Sequence, residues 1–370
     1  MRIAMIGQKT LASGEKAGGV EKHVAEVSRR LVRAGHDVTA YVRVKYTPKR
    51  PKTFEGVHLE YVKTLYSKNL EAIVYSFIAT IKAIFGDFDI IHYHGVGPAT
   101  VAWIARLFAR NSTTVVTFHS RDQFHKKWGW FARHYLAIGE WAAVKLPHYC
   151  ISVSHVIQVY CRNTFKREVV YIPNGAEVIE VTRSNELEKF GLRANNFLLN
   201  VGRLVPQKGL HFLIEAFATV ETDMNLVFVG APSFTDEYYT SLRDLAKNDS
   251  RVKFLGFQQG EVLDQLYGNA YLYVHPSEAE GLPLTILEAM SHGTAPLVSD
   301  IPENLEAIHN AGYAFKSGDV LELRHKLTEL LMSPDDVNEK SEDAQAMVET
   351  NFNWDKIAEH IEEVYVTARH

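Results

Sequence analysis

Cysteine is nearly absent from this chain, with Cys150 and Cys161 the two in 370 residues. A pair separated by ten residues builds neither a disulfide framework nor a cysteine-ligated metal site, and it suits a reducing compartment. Long apolar runs are missing as well. The best, Leu70 to Phe85, is interrupted by Lys82 and falls short of the roughly 20 residues a spanning helix needs. The opening Met1 to Gly7 is too short for the apolar stretch of a signal peptide and reads as a buried first strand, so the cytoplasm is the expected compartment. With 23 glycines, 12 prolines and no repeat or low-complexity tract, collagenous and disordered classes are excluded. Two nucleotide signatures are also wanting: there is no G-x-G-x-x-G, and the segment from Gly202 to Lys208 has neither the spacing of a P-loop nor a Ser or Thr after the lysine.

What is present is a globular composition, 46% hydrophobic and 23% charged, in a chain too long for one core and suited to two domains. The net charge of −4 conceals an asymmetry. Residues 1–175 carry 25 Lys and Arg against 12 Asp and Glu, whereas 176–370 carry 15 against 32. A basic half next to an acidic half suggests an anionic partner for the former, namely a phosphorylated acceptor, a membrane surface or nucleic acid. No recognisable nucleic-acid reader module accompanies it, so nucleic acid is set aside.

Short β-branched runs alternate with helix-period segments, as in Ile3–Ile6, Val20–Arg33 and Val38–Val42, which is the pattern of a parallel sheet with crossover helices. Further strands are expected at Val57–Val62, Ile90–His94, Thr114–Phe118, Tyr149–Val153 and Val169–Ile172. A second series runs Phe197–Val201, Leu226–Val229, Val252–Leu255, Tyr271–Val274 and Ala295–Val298. Pro173-Asn174-Gly175 and the charged interval after it place a hinge within 173–195. The expected fold class is α/β, two doubly wound Rossmann-like parallel-sheet domains facing a cleft, with ligands at the carboxyl ends of the strands.

Two loops carry the chemistry. Pro276 to Met290 follows a strand and enters a helix, with Gly281, Leu282, Pro283 and Leu284 at the entry. Pro283 suits a first helical turn, Gly281 admits close backbone approach, and the helix end favours an anion. Glu280 precedes the helix; Glu288 lies five residues beyond Pro283, about 7.5 Å along the axis. Two carboxylates bracketing an anion site fit a ligand with phosphate in the middle and hydroxyls on either side, the shape of a nucleotide sugar. The alternative is that Glu280 caps the helix and Glu288 is a solvated surface residue. The second loop, Val201 to Gly209, offers Arg203 and Lys208 as partners for a diphosphate.

Together these segments resemble the donor-binding half of the retaining glycosyltransferase family 4, bacterial polysaccharide-type members included, whose mark is two glutamates with seven residues between, here Glu280 and Glu288. The resemblance reaches Gly18-Gly19-Val20-Glu21, Thr117-Phe118-His119, Ile172 to Gly175 and the terminal Phe352-Asn353-Trp354. It implies the GT-B fold: an acceptor-binding domain at 1–175, a nucleotide-sugar domain at 176–350, and a final helix at 351–370 that crosses back to brace the first. Glu288 would hold the ribose, Glu280 the donor sugar, Arg203 and Lys208 the diphosphate. Gly18 and Gly19 would let backbone amides approach the phosphates, and His119 would lie beside the sugar. UDP is the nucleotide favoured by such relatives. The acceptor would be a glycan or a lipid-linked molecule.

No metal and no other cofactor is expected. Asp87-Phe88-Asp89 matches a metal-binding D-x-D but precedes a strand, the wrong end for a site residue. His92 and His94 share one strand face, with no third ligand in sight, and read as structural or cleft-lining. Arg121 to Arg133 interleaves cations with Trp128, Trp130 and Phe131, a composition suited to an anionic membrane surface or to an acceptor pocket. Two other functions share these signals: a protein that binds a nucleotide sugar without transferring it, and a sugar-nucleotide epimerase, which the glutamate spacing disfavours.

Overall fold

The computed structural model describes residues 1–11, 14, 18–65, 71–121, 130–233 and 235–368, with backbone alone for 130–136. Most of the basic aromatic segment, including Lys126, Lys127, Trp128 and the side chains of Trp130 and Phe131, lies outside the described residues. Two compact units emerge, Met1–Asn174 with Trp354–His370, and Gly175–Asn353.

Along the first stretch the order is β1 (Arg2–Ile6), α1 (Gly19–Arg33), β2 (Asp37–Arg43), β3 (Thr53–Phe54), β4 (Val57–Val62), α2 (Glu71–Ile84) and β5 (Ile90–His94). It continues with α3 (Val96–Ala99), α4 (Ala102–Phe108), β6 (Thr113–Phe118), α5 (Trp130–Lys145), β7 (Tyr149–Ser152), α6 (His155–Phe165) and β8 (Val170–Tyr171). The strands form one sheet ordered β3-β4-β2-β1-β5-β6-β7-β8. It is parallel except where β3 meets β4. Chain order reverses between β1 and β5, so the topological switch point of this sheet is at their carboxyl ends.

The second unit contains β9 (Phe197–Val201), α7 (Leu210–Phe217), β10 (Asn225–Val229), α8 (Asp236–Ala246), β11 (Val252–Phe254), α9 (Glu261–Gly268) and β12 (Leu272–His275). After these come α10 (Leu284–Ser291), β13 (Pro296–Ser299), α11 (Pro302–Ile308), β14 (Tyr313–Phe315), α12 (Val320–Leu331) and α13 (Pro334–Asn351). Its sheet is ordered β11-β10-β9-β12-β13-β14, parallel throughout, with the switch point between β9 and β12. Burial on both faces explains the near-continuous apolar runs: every residue of β5, β9 and β13 is buried. The core here joins Leu198, Phe228, Val274, Leu297 and Phe315 across the sheet to Leu213, Phe217 and Leu323 on the covering helices.

The last helix, α14 (Trp354–Thr367), belongs to the first unit and packs along α1. It buries Trp354, Ile357, Ile361, Val364 and Tyr365, a stripe of helical period. Arg30 Nε donates to Asp355 at 2.6 Å, and His36 Nε2 meets Glu362 at 2.8 Å. No helix among the described residues is long and apolar enough to cross a membrane.

Candidate functional site

The Arg203–Lys208 loop leaves β9 and the Glu280 loop leaves β12, the two strands that flank the second sheet's switch point. The loops are stitched together. The backbone N–H of Glu278 and the hydroxyl of Ser277 both donate to the Gln207 carbonyl, at 2.8 and 3.1 Å, and Ser299 donates to the Ser277 carbonyl. Gly209, at φ +64°, ends the turn that carries Lys208. A Cβ there would stand 2.1 Å from the Pro276 carbonyl oxygen, so only glycine lets the two loops touch.

Within this frame Lys208 forms an ion pair with Glu280, and His275 Nε2 meets the same carboxylate oxygen at 2.8 Å. Tyr273 stands behind, its hydroxyl 3.1 Å from His275 Nδ1. Burial alone would raise the Glu280 carboxyl, yet Lys208 and the His275 hydrogen bond together hold it well below the usual carboxylate range. Burial also lowers the His275 imidazole, partly opposed by Glu280, which leaves a neutral ring donating from Nε2. Glu280 is therefore a charged, oriented acceptor and not a proton donor. It does not cap the helix either: Pro283 occupies the N-cap of α10 and no side chain bonds there.

Glu288, half-buried in the second turn of α10, accepts 2.9 Å from the Tyr267 hydroxyl on α9. It is thus held in place and is not a freely solvated surface group. Gly281, Leu282, Pro283 and Leu284 are buried at the helix entry, where the first backbone N–H groups have no intrahelical acceptor. Arg203 is exposed and makes no ion pair among the described residues. The structure thus brings Lys208 and Glu280 into contact, where each had been expected to meet a different part of the ligand. Phe254 at the end of β11 packs on Phe228 at 5.1 Å, whereas Phe257 on the loop that follows is 36% exposed.

In the first unit, Gly18 is the N-cap of α1 and Gly19 opens that helix. The Gly18 N–H donates to Glu21 Oε2 at 2.8 Å and the Lys9 N–H to Glu21 Oε1 at 3.0 Å. That amide therefore already has an anionic partner, one that an approaching phosphate would have to replace. Asp89 accepts from the Arg2 N–H at 2.7 Å and Asp87 meets the Arg2 guanidinium, so the D-x-D pins the starts of β1 and β5 together.

His119 follows β6 directly and is 8% exposed. The expectation that no third ligand stands near His92 and His94 is corrected for His94, which has His23 and His119 beside it. His119 Nε2 lies 3.3 Å from His94 Nδ1, His23 of α1 meets His119 with ring centroids 4.7 Å apart, and the tilted rings of His92 and His94 have centroids 4.1 Å apart. Burial pushes all four imidazoles down, His23 to about 4 and His92 to about 3, with His94 and His119 well below the ordinary value. Sequence spacing missed His23 because it lies on a helix; the tertiary fold alone brings it beside β5 and β6. His275 was missed as well, although the i, i+2 pattern Tyr273–His275 at a strand end was there to read.

Residues 17–178 match the family model "Glycosyltransferase Family 4", and residues 183–354 match "Glycosyl transferases group 1". Among curated relatives, the O-antigen chain mannosyltransferase B of Escherichia coli is 31% identical over 40% of this chain and 39% of its own length. The phosphatidyl-myo-inositol mannosyltransferase of Mycolicibacterium smegmatis is 24% identical over 81% of this chain and 76% of its own. Anabaena Alr3699/HepE, solved in complex with UDP and glucose, superposes with a TM-score of 0.82 at 20% identity, covering 99% of this chain and 100% of that one, and shares the GT-B fold. With two models that between them run from residue 17 to residue 354, the chain belongs to the family 4, group 1 glycosyltransferases.

Proposed function

We propose that the protein is a retaining, metal-independent glycosyltransferase that moves a hexose from a nucleoside diphosphate onto a glycan or lipid-linked acceptor, in surface polysaccharide or glycolipid assembly. The observation that carries this reading is the network of Tyr273, His275, Glu280 and Lys208 at the switch point, with Glu288 set by Tyr267 across the entry of α10. A charged Glu280 held by two partners keeps lone pairs for sugar hydroxyls, while Arg203, Lys208 and the helix-end amides are the groups able to receive a diphosphate. Mechanistically, the bond from the anomeric carbon to the leaving phosphate breaks on the face where the acceptor oxygen bonds, and the acceptor proton passes to the phosphate. No covalent nucleophile is needed, and an ion-paired Glu280 suits that role poorly. His119 would contact the donor sugar.

UDP is the first nucleotide to test, because Alr3699/HepE was solved with it, and mannose the first sugar, because both relatives above are mannosyltransferases. Delivery of the acceptor at the inner face of an anionic membrane is supported by exposed aromatic and aliphatic side chains on neighbouring helices of the basic unit: Phe77 and Phe85 at α2, Trp103 and Phe108 on α4, Ile138 and Trp141 on α5. Arg106, Arg110 and Lys145 are exposed among them. Cations near an anionic leaflet contribute about 1 kcal/mol each, and the aromatics suit the headgroup layer.

A thermal-shift and donor-hydrolysis panel of UDP-, GDP-, ADP- and dTDP-sugars tests the central reading. Stabilisation and hydrolysis by one nucleotide class are expected, both insensitive to EDTA. Stabilisation without hydrolysis or transfer would favour a binding protein, and loss of activity in EDTA would refute metal independence. Co-sedimentation with anionic vesicles that weakens with salt and with Trp103→Ser supports membrane delivery; equal behaviour with neutral vesicles removes it.

A further inference from the structure

The histidine cluster of the first unit contains more than the proposed transfer uses. One nitrogen from each of His23, His94 and His119 lies within 4.8 Å of the other two. Four-coordinate zinc, with nitrogen ligands at about 2.0–2.1 Å, places imidazole nitrogens about 3.4 Å apart. The His94 Nδ1 to His119 Nε2 distance is 3.3 Å, so modest side-chain rotation closes the set. We propose that His23, His94 and His119 form a binding site for a divalent ion of the zinc class, with water as the fourth ligand.

The hydrogen bonds around the cluster set the ligand lone pairs. His23 Nδ1 lies 2.9 Å from Asn174 Oδ1, an acceptor, so Nδ1 carries the hydrogen and Nε2 presents a bare lone pair. That Nε2 is buried and has no hydrogen-bond partner, on a residue only 1% exposed. His94 Nε2 lies 3.4 Å from Met5 Sδ, another acceptor, which leaves Nδ1 bare and aimed at His119. Such outer partners fix tautomer and ring orientation in metal sites. His119 Nε2 donates to His94 Nδ1 while no ion is bound; on metal binding that proton leaves for Nδ1 of the same ring or for solvent.

His92 shows the contrast. Its two nitrogens engage the Tyr365 hydroxyl and Thr117 Oγ1, so it supports His94 by ring contact and is not a ligand. An all-imidazole set selects zinc, cobalt, nickel or copper over magnesium and calcium, which prefer oxygen. The site is distinct from any donor-side metal. By occupying His119 it would withdraw that ring from the donor sugar, a consequence that rests on the transfer reading above.

Titration of the full-length protein with Co2+ alone tests the site. The visible bands of four-coordinate cobalt are expected, saturating at one ion per chain, displaced by Zn2+, lost in His23→Gln and in His94→Gln, and unchanged in His325→Gln. Should either variant fail to fold, X-ray absorption of the zinc-loaded wild type decides, with three imidazoles expected at about 2.0–2.1 Å. A six-coordinate cobalt spectrum, bands that persist in both variants, or fewer than two imidazoles around zinc would overturn the proposal. Zinc inhibition relieved by EDTA supports it together with the role of His119. Zinc bound by these rings with transfer unchanged supports the site and refutes that role.

Discussion

Lys208 and Glu280 are each other's closest charged partners, which changes what their removal should do. Replacing Lys208 with Met strands a largely buried carboxylate, so thermal stability and activity are both expected to fall; Arg203→Ala, at an exposed position without an ion pair, should cost activity alone. If each cation makes a charged hydrogen bond to the diphosphate, the loss is about 1.5–3 kcal/mol, or roughly 10- to 150-fold in kcat/KM. Steady-state kinetics beside a melting curve separates the two, and an unchanged Tm in Lys208→Met would contradict the pairing. Tyr267→Phe removes the hydrogen bond that orients Glu288. Calorimetry with UDP alone should show weaker binding, on the order of tenfold, with little change in kcat for bound donor. An unchanged Kd would mean that Glu288 needs no such support.

Among elements, the contact between the loops after β9 and β12 makes the sharpest prediction. Gly209→Ala must both hold a left-handed backbone and push the Pro276 carbonyl away, so a destabilisation of about 1–3 kcal/mol and a larger loss of activity are expected from denaturant melts and kinetics. Several strands were legible in the sequence: Val57–Val62, Ile90–His94 and Phe197–Val201 agree to the residue, the first because Val57, Leu59 and Tyr61 alternate with His58 and Glu60, the other two because buried parallel strands are mostly apolar along their length. Thr53–Phe54 and Tyr313–Phe315 were not, since two or three residues carry no period and are held by their neighbours in the sheet. In the site, Glu280, Glu288, Arg203 and Lys208 stand out by type and spacing along the chain. Of the partners that orient them, His275 lies at the end of β12, five residues before Glu280, and was open to local reading, whereas Tyr267 and the meeting of His23 with His119 depend on packing between elements and have no local signature.

For the molecule as a whole, the buried histidines predict acid sensitivity. An unfolded imidazole takes up its proton near pH 6.5, whereas His23 in the fold waits until about 4 and His92 until about 3. Their folded values are depressed, so stability is full above about pH 6.5 and is lost as pH falls towards about 4. The slope is up to about 1.4 kcal/mol per pH unit for each such group. Denaturant melts followed by near-UV dichroism from about pH 7 to about pH 5 should show this loss; a flat profile would mean that the rings take up protons in the fold as readily as in the unfolded chain. The unit that contains them has a further property, because it is closed by α14, whose Tyr365 hydroxyl reaches His92 in the interior and whose Trp354 packs on His23. On the ribosome, Met1–Asn174 emerges first yet cannot complete its core until Trp354–Thr367 has been made. At about 5–20 residues per second that is a wait of about 10–40 s, during which the α1 face meant for α14 stays uncovered. The nascent chain is thus exposed to holdase chaperones over the entire synthesis of its second unit, and a premature stop anywhere in that unit leaves both units of the one chain incomplete.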